Sequence, residues 1–321
     1  MNARAREKLI EELKQTQDVT IKNQEAMNRH TSLRIGGPAD YFIIPQNLQS
    51  TITTIKFLNS ADMPYFIMGA GSNLLVSDRG IRGSVVSLLD LEAVEIEDNI
   101  IEAQAGISLA DLSEITACYG LSGLEFASGI PGTLGGAVYM NAGAYGGEMK
   151  DIIKSVKVFD GQEGKVKVLS CDQLDLAYRS SRLQRENLVA LSVKMELSRD
   201  NAEEIFARIA DLECKRWFKQ PLSFPSAGSA FKRPENDYAG RLIEAAGLKG
   251  RRVGDAQVST KHAGFIVNLG RARAEHVLDL MQIIQEEVEN QFDITLRPEP
   301  RPIGDFDPQQ LEQLFPDGTA V

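Results

Sequence analysis

The sequence predicts an α+β fold in at least two domains. Three observations carry this prediction. Short apolar runs of strand length alternate with amphipathic helical stretches, one internal segment turns abruptly glycine-rich, and strand-rich sequence gives way to a charged helix near Ser198–Asn201. With 321 residues, the chain also exceeds the roughly 250–300 at which a single core stops growing.

Residues 5–15 read as a short amphipathic helix with Leu9, Ile10 and Leu13 on one face. A strand follows at Tyr41–Ile44, ended by Pro45, and residues 46–60 read as a helix with Leu48, Ile52, Ile55 and Phe57 partly on one stripe. Phe66–Met68, Leu74–Val76 and Ser84–Leu88 have strand character, and Val94–Ile96 with Ile100–Ala103 reads as a hairpin around Asp98-Asn99. Residues 108–119 form a further helix, capped by Ser108 and closed by Gly120. From Leu121 to Gly147 the chain is dense in glycine and small residues, and strands return at Ser155–Phe159, Lys165–Leu169 and Leu188–Leu197. Residues 201–217 predict a helix burying Ile205, Ile209 and Leu212. The remainder predicts a helix at 239–246, a strand Gly264–Leu269, a long helix at 273–291 and the Pro-rich strand "ITLRPEPRPIG". The tail after Asp305 reads as poorly structured. The expected organisation is a lead-in over 1–33, one domain over 34–199, a second over 200–305 and a tail over 306–321.

Composition narrows the function. With 35 basic and 45 acidic residues the formal charge is −10, which disfavours nucleic acid and anionic membrane surfaces as partners. Cys118, Cys171 and Cys214 are odd in number and lack a CxxC spacing, so they read as reduced thiols. His30, His262 and His276 are scattered and suggest no metal centre. The charged amino terminus is no signal peptide, and no apolar run approaches the ~20 residues of a membrane span. A cytoplasmic protein acting on a small molecule is expected; the oligomeric state stays open, a monomer included.

The stretch "PYFIMGAGSNLLVSD" (Pro64–Asp78) places a glycine turn directly after a strand. Gly69 and Gly71 fit the first two glycines of a dinucleotide fingerprint, with Asp90 about where its acidic residue belongs. However, Leu74 replaces the third glycine and no crossover helix fits before "SDRG". Two further small-residue loops resemble this one. The three together comprise Arg34, Ile35 and Gly36; Gly69, Ala70, Gly71, Ser72 and Asn73; and Ser128, Gly129, Ile130, Pro131, Gly132, Gly135 and Gly136. Each reads either as a tight connection or as a nest of backbone N–H groups for a pyrophosphate.

The blocks "HTSLRIGGPAD", "GAGSNLLVSD", "GLEFASGIPGTLGGAVYMNAGAYGGE" and "YRSS" resemble the flavin-binding half of the UDP-N-acetylenolpyruvoylglucosamine reductase family. "SAGSAFKRP", "AGRLIEAAGLKGRRVGDAQVSTKHAGFIVN" and "LRPEPRPIG" are similar to its substrate domain, in order from about His30 to Gly304. The resemblance implies a two-subdomain FAD-binding fold of the vanillyl-alcohol-oxidase type with a C-terminal α+β substrate domain. It further implies noncovalent FAD, NADPH as reductant and a UDP-sugar substrate carrying an enolpyruvyl ether, in peptidoglycan synthesis. No insertion lies between Lys194 and Ala202, which corresponds to the family's shorter type without a tyrosine-bearing loop. The chain departs from the family at Arg233, where FKNP is common, and at Gly264, where Asn is frequent.

Adding hydride to an enolpyruvyl double bond leaves charge on the neighbouring carbon and its carboxylate, so a cation and a proton donor belong there. The resemblance assigns Arg179, Ser229 and Glu299 to these tasks. From the residues alone, Arg179 also reads as a surface arginine, Ser229 as a turn serine and Glu299 as a strand-end charge between Pro298 and Pro300. Tyr178, Lys219, Lys232, Arg233 and Asn268 are candidates for substrate binding. A related FAD oxidase and a non-catalytic nucleotide-sugar-binding protein are the alternatives.

Overall fold

The computed structural model describes residues 10–16 and 18–315. The chain divides into two compact units, neither of them one contiguous stretch: Met1–Lys22, Tyr41–Ala70 and Gly83–Lys215 form the first, and Asn23–Asp40, Gly71–Arg82 and Arg216–Val321 the second. The expected segments 34–199 and 200–305 are contiguous and differ from this division, which falls inside the helix Ala202–Lys219.

The first unit contains a five-stranded antiparallel sheet in the order Lys165–Ser170, Ile153–Asp160, Leu188–Glu196, Ile100–Gln104, Val94–Glu97. Its central strand opens on "LVALSV", buried throughout and apolar except for Ser192. The edge strand "VEIE" turns its two glutamates outward, which discourages pairing with another chain, whereas "KVKVLS" leaves Val166 and Val168 exposed. The expected hairpin at Asp98-Asn99 is present, with Asp98 at φ +58°. A second sheet has the order Val19–Ala26, Pro38–Pro45, Ile81–Ser87, Tyr65–Met68, the last two strands being parallel.

Helices flank these sheets. Ser108 caps Leu109–Cys118 by accepting the Asp111 N–H at 3.0 Å, as expected. Leu48–Ser60 starts from a capping box between Asn47 and Ser50. Its buried stripe is Thr51, Thr54, Ile55 and Leu58, so the expected positions Ile52 and Phe57 sit at its margin. Of the expected N-terminal helix, residues 10–14 are helical with Ile10 and Leu13 in the core, while Leu9 lies outside the described residues.

The second unit has a four-stranded antiparallel sheet in the order Ser226–Ser229, Phe265–Asn268, Ala256–Val258, Arg252–Val253. The long helix Ala274–Phe292 buries Val277, Met281, Ile284 and Val288 at helical spacing. The strand Leu74–Val76 pairs in parallel with Arg301–Ile303, which draws residues 71–82 into this unit. Of the tail, residues 306–315 are a correction to the expectation, and 316–321 lie outside the described residues. Pro308–Leu314 is a helix whose N-cap Asp307 accepts the Gln309 N–H, and Leu314 and Phe315 lie in the core. Asp-Pro at a helix start was the available signal.

Among the described residues no helix is long and apolar enough to cross a membrane, and no group of three His, Cys, Asp or Glu side chains is arranged to hold a metal ion. Burial, then the charge of Asp172, pushes the Cys171 thiol up from its ordinary value, away from the reactive thiolate.

Candidate active site

Between the strands Tyr65–Met68 and Leu74–Val76 the chain turns through Gly69–Asn73, and no helix precedes Ile81–Ser87. A dinucleotide fingerprint of the crossover type is therefore excluded. The successive N–H groups of Gly69, Ala70, Gly71 and Ser72 meet no acceptor among the described residues. Gly71 is nonetheless buried and the others half-buried, with Gly71 held at φ +63°. Successive N–H groups of this kind, the Gly71 one in a buried residue, are able to receive an anionic acceptor.

The other two glycine loops are largely committed to the fold. Arg34 N–H donates to Thr31 O, Ile35 N–H to Thr31 Oγ1 and Gly37 N–H to Ser77 O, leaving Gly36 N–H without an acceptor among the described residues. The Ile35 side chain is a core residue. In the third loop Ser128 N–H binds Glu125 O, Ile130 N–H binds Ala127 O, Gly135 N–H binds Ala105 O and Gly136 N–H faces Thr133 Oγ1. The open amides there are Gly132 and Thr133, the latter absent from the sequence-based set.

Gly135 and Gly136 begin a helix, Leu134–Met140, capped by Thr133, which the sequence did not predict. Two glycines in its first turn hid it, glycine being a poor helix former. Close packing explains one of them, since a Cβ on Gly135 would lie 2.9 Å from Ala105 Cβ. Gly135→Ala is accordingly expected to cost about 1–3 kcal/mol through overpacking, read as a lower melting temperature of the protein without ligand.

Ser229 ends the strand Ser226–Ser229, opposite Phe265. Between the pairs Ser226/Val267 and Ser229/Phe265 one extra residue bulges out, and Gly228 absorbs it at φ +78°, a conformation an L side chain would strain. The bulge re-aims Ser229, whose hydroxyl is exposed and has no partner among the described residues. Glu299 is brought to the same place by its backbone. Its N–H donates to Ala230 O at 3.1 Å, and its carbonyl accepts from Asn73 Nδ2 at 3.2 Å. Asn73 O also accepts the Arg301 N–H at 2.9 Å, so Asn73 brackets the Glu299–Arg301 segment.

In the first unit, Arg179 sits in a turn closed by mutual backbone bonds between Ala177 and Ser180, at 3.1 and 3.0 Å. Its φ is +54°, a region that costs a non-glycine residue about 1–2 kcal/mol. Its guanidinium lies over the exposed Tyr178 ring, 5.0 Å from the centroid.

The remaining substrate candidates separate. Lys219 is exposed at the end of its helix, and the Arg233 guanidinium lies 4.4 Å from the centroid of Tyr238. Lys232 lines a cavity of about 620 Å³ with Gln285, Glu289, Arg297 and Phe315; neither Ser229 nor Glu299 lines it. Asn268 is tied into the fold. It is buried, its Nδ2 donates to Leu33 O, and its Oδ1 accepts the N–H groups of Gly270 and Ala272. Those bonds commit it to ordering the loop after its strand. Nearby, burial lowers His262 from its ordinary value, and its Nδ1 accepts the Gly264 N–H.

Residues 39–170 match the sequence family described as an FAD binding domain, and residues 220–303 match UDP-N-acetylenolpyruvoylglucosamine reductase, C-terminal domain. The chain is 47% identical over 290 residues to the UDP-N-acetylenolpyruvoylglucosamine reductase of Alkaliphilus oremlandii (strain OhILAs), spanning 90% of this chain and 95% of that protein. It is 46% identical over 285 residues to the reductase of the same name from Clostridium tetani (strain Massachusetts / E88), spanning 89% and 92%. The crystal structure of UDP-N-acetylenolpyruvylglucosamine reductase (MurB) from Thermus caldophilus is similar with a TM-score of 0.75 at 36% identity, over 89% of this chain and 98% of that one.

Proposed function

The chain belongs to the UDP-N-acetylenolpyruvoylglucosamine reductase family and has its α+β fold with an FAD-binding domain; from that premise we propose that it reduces UDP-N-acetylglucosamine enolpyruvate to UDP-N-acetylmuramate with NADPH, in the cytoplasmic synthesis of peptidoglycan. The observation that carries this reading is the run of open amides from Gly69 to Ser72, inside the segment that matches an FAD binding domain. Open N–H groups suit the pyrophosphate of FAD. The chemistry FAD supplies when bound is hydride transfer from NADPH to the enolpyruvyl double bond.

The remaining work falls to side chains. The Arg179 guanidinium grips the enolpyruvyl carboxylate with two parallel hydrogen bonds and opposes the charge that develops on it. The Ser229 hydroxyl delivers a proton to the carbon bearing that carboxylate. Glu299, protonated, donates a hydrogen bond to the same enolate-like group, its backbone steadied by Ala230 and Asn73. Lys219 and Arg233 bind the diphosphate, and Tyr178 borders the substrate.

Three steps test the proposal. The purified protein is expected to be yellow, to bleach under NADPH without air, and to recover its colour on adding the enolpyruvyl nucleotide sugar. Recovery with oxygen but not with that substrate would overturn it.

A further inference from the structure

The turn that carries Arg179 is fastened to the end of a helix by side chains that the chemistry above does not use. The helix is Leu134–Met140, and its last carbonyls are among those a helix leaves without an internal partner. The Tyr139 carbonyl accepts the Ser181 hydroxyl at 2.7 Å and Gln184 Nε2 at 2.6 Å. Asn141, the C-cap of the same helix, donates from Nδ2 to the Ala177 carbonyl at 3.2 Å. Ser181 and Asn141 are buried and Gln184 is half-buried.

Gln184 does more than anchor the turn. Its Nε2 also donates to the carbonyl of Arg179 itself, at 3.2 Å. Carbonyl oxygens only accept, so the NH₂ of the carboxamide is the group that faces both, one hydrogen for each. The Arg179 carbonyl belongs to the same planar peptide as the Ser180 N–H, which donates to Ala177 O at 3.0 Å. A peptide held at its N–H alone is free to swing about that bond. A second bond at its carbonyl stops the swing, and with it the drift of the Arg179 Cα. The far end of the side chain rests over the Tyr178 ring, so a long and otherwise flexible arginine is located at both ends.

We infer that Gln184 is a positioning residue for Arg179: its carboxamide bridges the Tyr139 and Arg179 carbonyls and so sets where the guanidinium meets the substrate's carboxylate. The inference rests on the reading of Arg179 as the group that grips that carboxylate. Gln184→Met keeps the length and most of the volume of the side chain and removes both donors, while the backbone bond from Ser180 to Ala177 stays.

The test follows the two half-reactions separately by stopped flow on the flavin-loaded enzyme, in Gln184→Met, Arg179→Gly and the double variant, beside thermal melts. Gln184→Met is expected to slow reoxidation by the enolpyruvyl substrate about five- to tenfold, what roughly one hydrogen bond contributes. Flavin reduction by NADPH is expected at the wild-type rate, and the melting temperature within about 4 °C of wild type. In the Arg179→Gly background the same substitution is expected to add less than about twofold, because a residue acting through Arg179 has nothing left to place. An equal slowing in both backgrounds, or a parallel fall in both half-reactions, would show a merely structural glutamine and overturn the inference. Unchanged reoxidation in Gln184→Met, with Arg179→Gly slow, would overturn it too. Should the methionine variant not fold, Gln184→Glu, alike in shape but turning acceptors toward the carbonyls, is held to the same expectations. Wild-type reoxidation in Arg179→Gly would instead overturn the underlying reading of Arg179.

Discussion

Ser229→Ala is expected to leave flavin reduction by NADPH at the wild-type rate and to slow reoxidation by the enolpyruvyl substrate about 10²–10⁴-fold. That range is what a positioned general acid contributes. The structure makes this a clean test. The Ser229 hydroxyl is exposed and has no partner among the described residues, so its removal opens no cavity and orphans no buried group. Stability should therefore change by no more than about 0.5 kcal/mol. Stopped-flow absorbance separates the two half-reactions. A parallel fall in both would reject the proton-donor role, because protonation of substrate carbon belongs only to the second.

Arg179→Gly is expected to lose about 10²–10³-fold in the same half-reaction, the scale of one removed electrostatic stabiliser, without unfolding the protein. At φ +54° the arginine bears about 1–2 kcal/mol of backbone strain that glycine does not. Glycine gives back about 0.4–1 kcal/mol through a freer unfolded chain, so net stability should be unchanged or slightly raised. Arg179→Lys keeps the charge but not the planar fork, and a loss of about 10–100-fold is expected from the missing charge-assisted hydrogen bond. Thermal melts beside single-turnover kinetics check both variants. If the glycine variant melted well below wild type, the strain argument would fail; if the lysine variant kept wild-type kinetics, the bidentate grip would fail.

Several parts of this molecule were legible locally. The hairpin at Asp98-Asn99, the Ser108 cap and the long helix Ala274–Phe292 follow from turn chemistry, capping and periodicity within a dozen or so residues. The Leu134–Met140 helix was not, because Gly135 and Gly136 argue against helix until Ala105 is seen packed against the first of them. The closing helix Pro308–Leu314 carried its Asp-Pro start signal, but its burial depends on the side chains of Leu314 and Phe315 finding the second core. Asn268 kept the look of a ligand contact until Leu33, Gly270 and Ala272 used its amide.

By itself, then, the sequence determined the α+β class, most strands and helices, and which residue types were on hand for an anion seat and a proton transfer. These are properties of short windows. Tertiary structure alone decided which glycine loops keep their amides open, that residues 71–82 join Arg301–Ile303, and that Asn73 steadies Glu299. The physical reason is that an N–H is open or closed according to acceptors far along the chain. Ser77 closes Gly37 and Ala105 closes Gly135, while the Ser72 N–H stays open and the Gly71 carbonyl of the same peptide is taken by the Ser32 N–H.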